Sequence, residues 1–215
     1  MDVAVPLVFF LAFVTLVLTA PRLDAFRGRR RAGGLARELM SRHGFSAKPE
    51  FTASRLPVAG PPFHYGAAQR LTDQVGGTVD GLALTAAGYR CRYNGETHVY
   101  GVAVVSLPSP VDGIEVRHER AFHSVLVPEP VPDGRIASGE PEFDGRYRSY
   151  ATDPGQARRV LSVPRVRTLA AAPQPFSWRV DGTDLLLWRS GGWESAEALI
   201  GCVRAVTSVL RPADA

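Results

Sequence analysis

The pattern of hydrophobic and polar residues divides the chain into an apolar N-terminal stretch and a longer body of mixed composition. Val3 to Ala20 are eighteen consecutive residues without a charged side chain. At a rise of about 1.5 Å per residue, a helix of this length reaches about 27 Å, close to the thickness of the hydrocarbon core of a bilayer. The pattern therefore predicts one N-terminal transmembrane helix, and we assign residues 1–21 as an anchor.

A cleaved signal peptide is the main alternative for this stretch. Signal peptides start with a positive region and end at a cleavage site with small residues. The region before the apolar run contains Asp2 and no positive charge, and Leu18 and Pro21 disfavour cleavage after Ala20. An uncleaved anchor is the preferred interpretation, and an exported envelope protein with a cleaved signal is an open alternative.

Positive charge is concentrated directly after the apolar run. Residues 22–42 contain seven arginines and two acidic residues. Because basic residues near the end of a membrane span stay on the cytoplasmic side, the predicted topology is single-pass, with the N-terminus outside and the C-terminal domain in the cytoplasm at the plasma (inner) membrane. We predict that the basic residues nearest the membrane contact anionic lipid headgroups: Arg22, Arg27, Arg29, Arg30 and Arg31.

The rest of the chain carries no excess charge. From residue 43 onward there are eighteen basic and eighteen acidic residues, so the overall net charge of +4 comes from the segment beside the anchor. A nucleic-acid-binding domain should carry a basic face on its folded body. The predicted partners are therefore membrane lipid and a membrane or cytoplasmic protein, and nucleic acid is not expected.

A short helix is predicted over residues 32–43, within a basic juxtamembrane segment of residues 22–43. Leu35, Leu39 and Met40 share one face of this helix, and Gly44 is suited to the position after its C-terminus. The apolar face could lie on the membrane or on the folded domain. We prefer packing on the domain.

The centre of the chain is expected to be irregular from Lys48 to Gln74 and β-rich from Gly77 onward. Leu82 to Tyr93 and Thr97 to Leu107 flank Asn94-Gly95, a strong hairpin signal. Shorter strands are predicted over residues 113–119 and 122–127. Five further Asp-Gly dipeptides are predicted to form tight turns, at residues 80–81, 112–113, 133–134, 144–145 and 181–182.

The C-terminal third alternates between strands and helices. A strand over residues 146–152 is followed by a helix with Asp153 as N-cap and Pro154 in its first turn, ending near Leu161. A second short helix is predicted from Pro164. A hairpin is predicted around residues 181–182, and a final helix over residues 195–210. This order predicts an α+β fold, with an antiparallel β-rich domain over residues 44–211.

Signals for catalysis, cofactors and metals are weak. The sequence contains no phosphate-binding loop and no nucleophile elbow. His118 and His123 with Glu115 or Glu119 form a conceivable metal or catalytic cluster, and Glu140, Glu142 and Asp144 are a second group of carboxylates. Solvated side chains explain both groups more simply. No catalytic, cofactor or metal site is therefore predicted. A membrane-associated enzyme using His118, His123 and Glu115 or Asp144 is the rival hypothesis.

One stretch resembles a known sequence block. It comprises Phe143-Asp144, Tyr147, residues 150–154, Ala157, Leu161 and Pro164. This stretch resembles the "FD..F.V.a.D...A...L.p" block of a bacterial, actinobacterial-type family of membrane-anchored proteins of unknown function, with Tyr147 where that family usually has Phe. The resemblance implies a membrane-tethered domain and transfers no catalytic residue. Together with the anchor, it leads us to expect a cytoplasmic binding or interaction domain without catalysis.

Overall fold

A computed structural model describes residues 31–48, 62–63, 67–93, 95–119 and 134–211. The predicted anchor, four of the five predicted membrane-surface arginines and the strand predicted over residues 122–127 lie outside the described residues. Within the described residues, no helix combines the length and hydropathy needed to cross a bilayer.

The described residues form an antiparallel β-sheet of seven strands together with several helices, which fits the α+β class. The strands are β1 Ser46–Ala47, β2 Ala67–Val79, β3 Leu82–Tyr93, β4 Glu96–His118, β5 Arg135–Ile136, β6 Tyr147–Ala151 and β7 Ser177–Ser190. The helices are α1 over residues 31–43, α2 Pro141–Arg146, α3 Pro154–Val160, α4 Val163–Ala170 and α5 Ala196–Leu210.

Strand β4 is the centre of the sheet. β7 pairs with one of its edges, from the pair Tyr100–Ser190 to the pair Val116–Trp178. β3 pairs with β4 over residues 96–105, and β6 pairs with it over residues 114–118. The full order along the sheet is β1-β2-β3-β4-β6-β5, with β7 pairing to β4. Most of the sheet is therefore built by pairing onto this one long strand.

The hairpin predicted around residues 181–182 is wrong, and so is the turn predicted at residues 112–113. β7 and β4 both run straight through these dipeptides as single strands. Val111 pairs with Gly182, which has a φ of 61°, and the register shifts on both sides of this pair. Glycine here permits a bulge rather than a reversal of the chain. The dipeptide at residues 144–145 lies inside α2 and is not a turn either.

The bulge changes which residues of β4 face the core. Ala103 and Val105 are core residues before it, whereas Ile114 and Val116 are core residues after it. Because side chains alternate between the two faces of a strand, this change from odd to even positions means that one residue has been added to the alternation. The two halves of β4 therefore present different side chains on the face away from the core.

The predicted turn at residues 80–81 and the predicted hairpin at residues 94–95 are confirmed. Asp80 and Gly81 have φ values of 50° and 82°, as a type I′ turn requires. The turn between β3 and β4 leaves two residues between the paired Tyr93 and Glu96. The prediction of irregular structure from Lys48 to Gln74 is wrong for residues 67–74, because β2 begins at Ala67. Irregularities in its pairing with β3 hide the alternation there.

The main core lies on one face of the sheet, which we call the helix face. Leu39 of α1, Val203 of α5 and Trp178 of β7 are members of this core and are buried to 1% exposure or less. Phe143, Leu161 and Val166 extend it over α2, α3 and α4. The helices therefore cover one continuous apolar layer of the sheet.

Helix α1 packs on the domain. Ala32, Leu35 and Leu39 are buried, whereas Met40 is 38% exposed. Ala32 lies against Gly88 of β3, where an added Cβ would be only 2.8 Å from the Cβ of Ala32. The leucine face of this helix is therefore used by the core, and not by a membrane surface.

The first turn of α5 is capped by two side chains. Ser195 accepts a hydrogen bond from the backbone N–H of Ala198 at 3.1 Å. Glu38 of α1 accepts one from the backbone N–H of Ala196 at 3.0 Å. Carboxylates are favourable at the positive end of a helix, so this contact fixes α1 against α5.

Five positions of the block that carries the family resemblance have a structural explanation. Phe143 and Ala157 are completely buried, and Leu161 is 1% exposed. Asp153 caps α3 by accepting from the N–H of Gly155 at 2.7 Å, as its position predicts. Pro164 lies in the first turn of α4. The block thus encodes two helix starts and the core contacts between them.

Replacing Leu39 with alanine tests whether α1 belongs to the folded domain. We expect Leu39→Ala to lower the free energy of unfolding by about 2–5 kcal/mol, because it leaves a cavity in the core. Met40→Ala is the matched control and should change this free energy by less than about 0.5 kcal/mol. Guanidinium unfolding followed by tryptophan fluorescence measures both. Equal effects of the two variants would contradict packing of α1 into the core.

Candidate functional site

One end of the sheet carries a row of arginines, which we call the basic end: Arg31, Arg70, Arg90 and Arg92. Hydrogen bonds and strand pairing connect the positions of these arginines across the sheet. The Arg31 guanidinium donates to the carbonyl of Gly191 at 3.4 Å, and the N–H of Gly191 donates to the carbonyl of Val99 at 2.8 Å. Val99 pairs with Arg90, and Arg90 pairs with Arg70. Three arginines therefore lie at one level across the sheet.

Strand alternation places the side chains of Arg90 and Arg92 on the helix face. Gly88 lies beneath Ala32 of α1, and residues two and four positions further along a strand point to the same face. Arg90 and Arg92 therefore follow Gly88 on the helix face, beyond the first described turn of α1. The tip of the hairpin, with the exposed Glu96 and Thr97, projects further in the same direction.

Arg70 and Arg90 are like charges at directly paired positions. Such a pair is unfavourable in a sheet unless a counter-charge is present. In the described part of the chain, no carboxylate forms a salt bridge with Arg70, Arg90 or Arg92. Arg70 and Arg92 are exposed, and Arg90 is half-buried. The basic end is therefore suited to bind an anionic surface that supplies the missing counter-charge.

Of the five arginines predicted to contact the membrane, Arg31 is the described one, and it lies in the basic end. Arg22, Arg27, Arg29 and Arg30 lie outside the described residues. They precede Arg31 directly in the sequence, so the chain enters the domain at the basic end. The charged segment after the predicted anchor thus joins the described structure at Arg31, within the basic end.

The residues of the rival catalytic hypothesis are not gathered into one site. Glu115 lies on the face of β4 away from the core and forms an ion pair with Arg117. A second arginine, Arg179, approaches its other carboxylate oxygen at 4.0 Å. The Arg117 guanidinium also lies 5.5 Å from the centre of the Tyr150 ring. Burial lowers the pKa of Arg179, and the charge of Glu115 opposes this shift.

His118 and Asp144 lie elsewhere. His118 is adjacent in alternation to Val116, on the opposite face from Glu115, and its ring lies 5.2 Å from the Tyr147 ring. Asp144 accepts hydrogen bonds from the backbone N–H of Ser138 at 3.0 Å and of Gly139 at 3.1 Å. His123 lies outside the described residues. Glu115 therefore stabilises the fold through its ion pairs, and Asp144 does so through its hydrogen bonds to the backbone.

Metal-binding and thiol chemistry receive no support from the described residues. They contain no group of three or more His, Cys, Asp or Glu side chains arranged to hold a metal ion. Cys91 and Cys202 are buried free thiols in separate apolar clusters. Burial raises the pKa of the Cys202 thiol to about 12 and also raises that of Cys91. Both side chains therefore remain protonated near neutral pH and are poor nucleophiles.

Comparison with known proteins identifies a relative of the fold. No protein-family model matches the chain, and no curated protein matches it. The structure is similar to the crystal structure of the mycobacterial trehalose monomycolate transport factor A, TtfA, with a TM-score of 0.59 and 19% sequence identity. The similarity covers 83% of this chain and 95% of the TtfA chain in that crystal structure. The two proteins therefore share a fold over most of their length.

Arg70, Arg90 and Arg92 were not predicted as site residues from the sequence. Arg90 and Arg92 alternate with Tyr89, Cys91 and Tyr93, which predicts a strand with one polar face. Nothing local indicates that Arg70, on a segment predicted to be irregular, pairs with Arg90. The basic end becomes visible through strand pairing.

Replacing Glu115 tests its structural role. We expect Glu115→Gln to lower the free energy of unfolding by about 3–5 kcal/mol, because two largely buried guanidinium groups lose their carboxylate. Glu142→Gln is the control: this side chain is 76% exposed and pairs with Arg146 at 2.8 Å, so the change should be below about 1 kcal/mol. Chemical denaturation measures both. A loss no larger for Glu115→Gln than for the control would show that the buried pair does not support the fold.

Proposed function

We propose that this protein is a membrane-tethered, non-catalytic factor that acts in lipid transport. Residues 1–21 form its single transmembrane anchor, and its α+β domain lies in the cytoplasm. The basic end rests on the anionic headgroups of the inner membrane leaflet. The observation that carries this proposal is the row of arginines at the level where the chain enters the domain.

The length of the connecting segment supports this arrangement. Nine residues, 22–30, separate the predicted anchor from Arg31, and an extended chain of that length reaches at most about 30–32 Å. The basic end is therefore within reach of the headgroups. Each basic residue near an anionic surface contributes about 1 kcal/mol, and four arginines at one end favour a defined orientation of the domain.

The absence of catalysis in this proposal rests on what the carboxylates do. Glu115 is engaged by two arginines, and Asp144 accepts backbone hydrogen bonds. A general acid or base needs a proton that it can exchange with a substrate. Neither side chain is arranged for this.

The connection to lipid transport comes from the shared fold. TtfA is a mycobacterial trehalose monomycolate transport factor, as its name states. A fold alone does not determine function. We therefore extend only the general role in lipid transport to the present chain, and not the particular lipid. The basic end supports the extension, since it gives the domain a surface for a lipid bilayer.

The topology is tested by a reporter fused after Ala215 in the full chain. Alkaline phosphatase is active outside the cytoplasm, and green fluorescent protein is a cytoplasmic reporter in bacteria. We expect fluorescence and no phosphatase activity, because the arginines after the anchor retain the C-terminal side in the cytoplasm. Active phosphatase at this position would contradict the proposed location.

The orientation of the domain is tested by a spin label on the full chain in lipid nanodiscs. The label is attached to Thr97→Cys at the hairpin tip, or to Ser208→Cys near the end of α5, since both positions are exposed. In nanodiscs with phosphatidylglycerol, we expect lipid contact for the label at 97 and water exposure for the label at 208. Phosphatidylcholine nanodiscs should reduce contact at 97, because they offer no counter-charge.

Charge-matched variants make this test specific. Arg70→Gln/Arg90→Gln/Arg92→Gln should weaken the contact of the label at 97 by up to about 3 kcal/mol, or about 100-fold in population. Arg135→Gln/Arg158→Gln/Arg167→Gln loses the same charge from exposed positions elsewhere and should leave it unchanged. Lipid contact at 208, or an equal response to both triple variants, would refute the orientation.

A further inference from the structure

A second feature lies at the opposite end of the sheet: a cavity of about 740 Å³ between the bulge of β4, the α3–α4 connection and the end of α5. Leu82, at the start of β3, lines it. Ten residues of strand separate Leu82 from Arg92, which corresponds to about 33 Å. The cavity is therefore remote from the basic end and goes beyond the function proposed above. Its volume is in the range of small-molecule sites, about 300–1,000 Å³.

The floor of the cavity is apolar and incompletely covered. Leu82, Leu107, Val111 and Leu210 all line it. All four are partly buried residues that pack against the main core. Partly exposed apolar side chains that line one concave surface are typical of a binding site for an apolar group.

The charged residues that line the cavity are all arginines: Arg159, Arg165 and Arg211. Arg165 donates to the carbonyls of Val209 at 2.8 Å and of Arg211 at 3.2 Å, and so it fixes the end of α5. Arg159 and Arg211 are exposed. Their guanidinium groups are available to an anion at the opening of the cavity.

The acidic group closest in sequence to Leu82 is engaged mainly by an arginine outside the cavity lining. Both oxygens of Asp80 accept from Arg204, at 2.9 and 3.0 Å, and this bond lowers the pKa of Asp80 more than the charge of Arg211 does. A smaller cavity of about 580 Å³ adjoins the first through Pro110, Val111 and Gln156, and it is lined by Asp112, Asp153 and Asp181. An anionic group would be repelled from that side and attracted to the arginine side. The charges around the apolar cavity therefore favour one orientation of an anionic ligand, with its charged group on the arginine side.

We propose that this cavity binds an anionic amphiphile: a single alkyl chain on the apolar floor, with a carboxylate or phosphate headgroup at Arg159 and Arg211. Guanidinium groups bind both headgroups through charge-assisted hydrogen bonds. A fatty acid and an alkyl phosphate share this chemistry. Arg165 holds the wall of the cavity in place through its bonds to α5.

Photo-crosslinking on the full chain in nanodiscs tests the site. The probes are a diazirine-bearing palmitate, an alkyl phosphate and the corresponding neutral alcohol, and peptide mass spectrometry locates the labelled residues. Membrane labelling falls on the predicted anchor and serves as an internal reference. We expect both anionic probes to label residues 107–111 and 207–211 at least about tenfold more than the alcohol, as a charge-assisted hydrogen bond would give. Labelling by one anionic probe alone identifies which headgroup the site takes.

Variants decide whether the arginines recognise the headgroup. Arg159→Gln/Arg211→Gln should reduce anionic labelling of these segments about tenfold without changing that of the anchor. Arg135→Gln/Arg158→Gln removes two exposed charges that do not line the cavity and should have no effect. Ser109→Trp places a large side chain at the cavity wall and should block labelling by every probe.

Equal labelling by the alcohol, or labelling unchanged in Arg159→Gln/Arg211→Gln, would overturn the proposal. Labelling that persists in Ser109→Trp would place the probe outside the cavity and overturn it as well. The topology reporter and the label at 97 do not involve the cavity, and Ser208 is not one of its lining residues. Failure at this site and failure of the proposed membrane orientation are therefore distinguishable.

Discussion

The pairing of β7 with β4 from Tyr100 to Val116 is the constraint on which the rest of the structure depends. It holds together two halves of a sheet in which β4 has different second neighbours, first β3 and then β6. The shared bulge between Ser106 and Ile114 lets one strand serve both halves, because it shifts the alternation by one residue and keeps apolar side chains on the helix face. The same bulge forms a wall of the arginine-lined cavity.

The face away from the helices differs between the two halves as a result. In the first half it carries an apolar cluster that includes Tyr89, Val102 and Trp188, with Phe63 packed on Tyr89 at 4.8 Å between ring centres. In the second half it carries the ion pairs of Glu115 with Arg117 and Arg179. One strand thus supports an apolar surface and a buried polar surface side by side.

The two ends of the sheet have separate roles in the proposed function. The basic end lies where the chain emerges from the predicted anchor, and its charges suit an anionic bilayer. The cavity lies at the far end, about 33 Å of strand away, where α5 finishes. A domain tethered in this way would face the membrane with one end and hold a ligand at the other.

Features that depend on neighbouring residues could be predicted from the sequence: the Asp153 cap of α3, the final helix over residues 195–210, the turn at Gly81 and the hairpin at Gly95. Local backbone preferences and side-chain caps determine these elements. The sequence also determined the uneven charge, with all the excess beside the predicted anchor. Only the tertiary structure decided that residues 181–182 continue a strand, that Arg70 faces Arg90, and that Leu82, Leu107 and Leu210 meet at one cavity. These features join residues distant in the chain, and strand register and packing bring them together through contacts that no local pattern encodes.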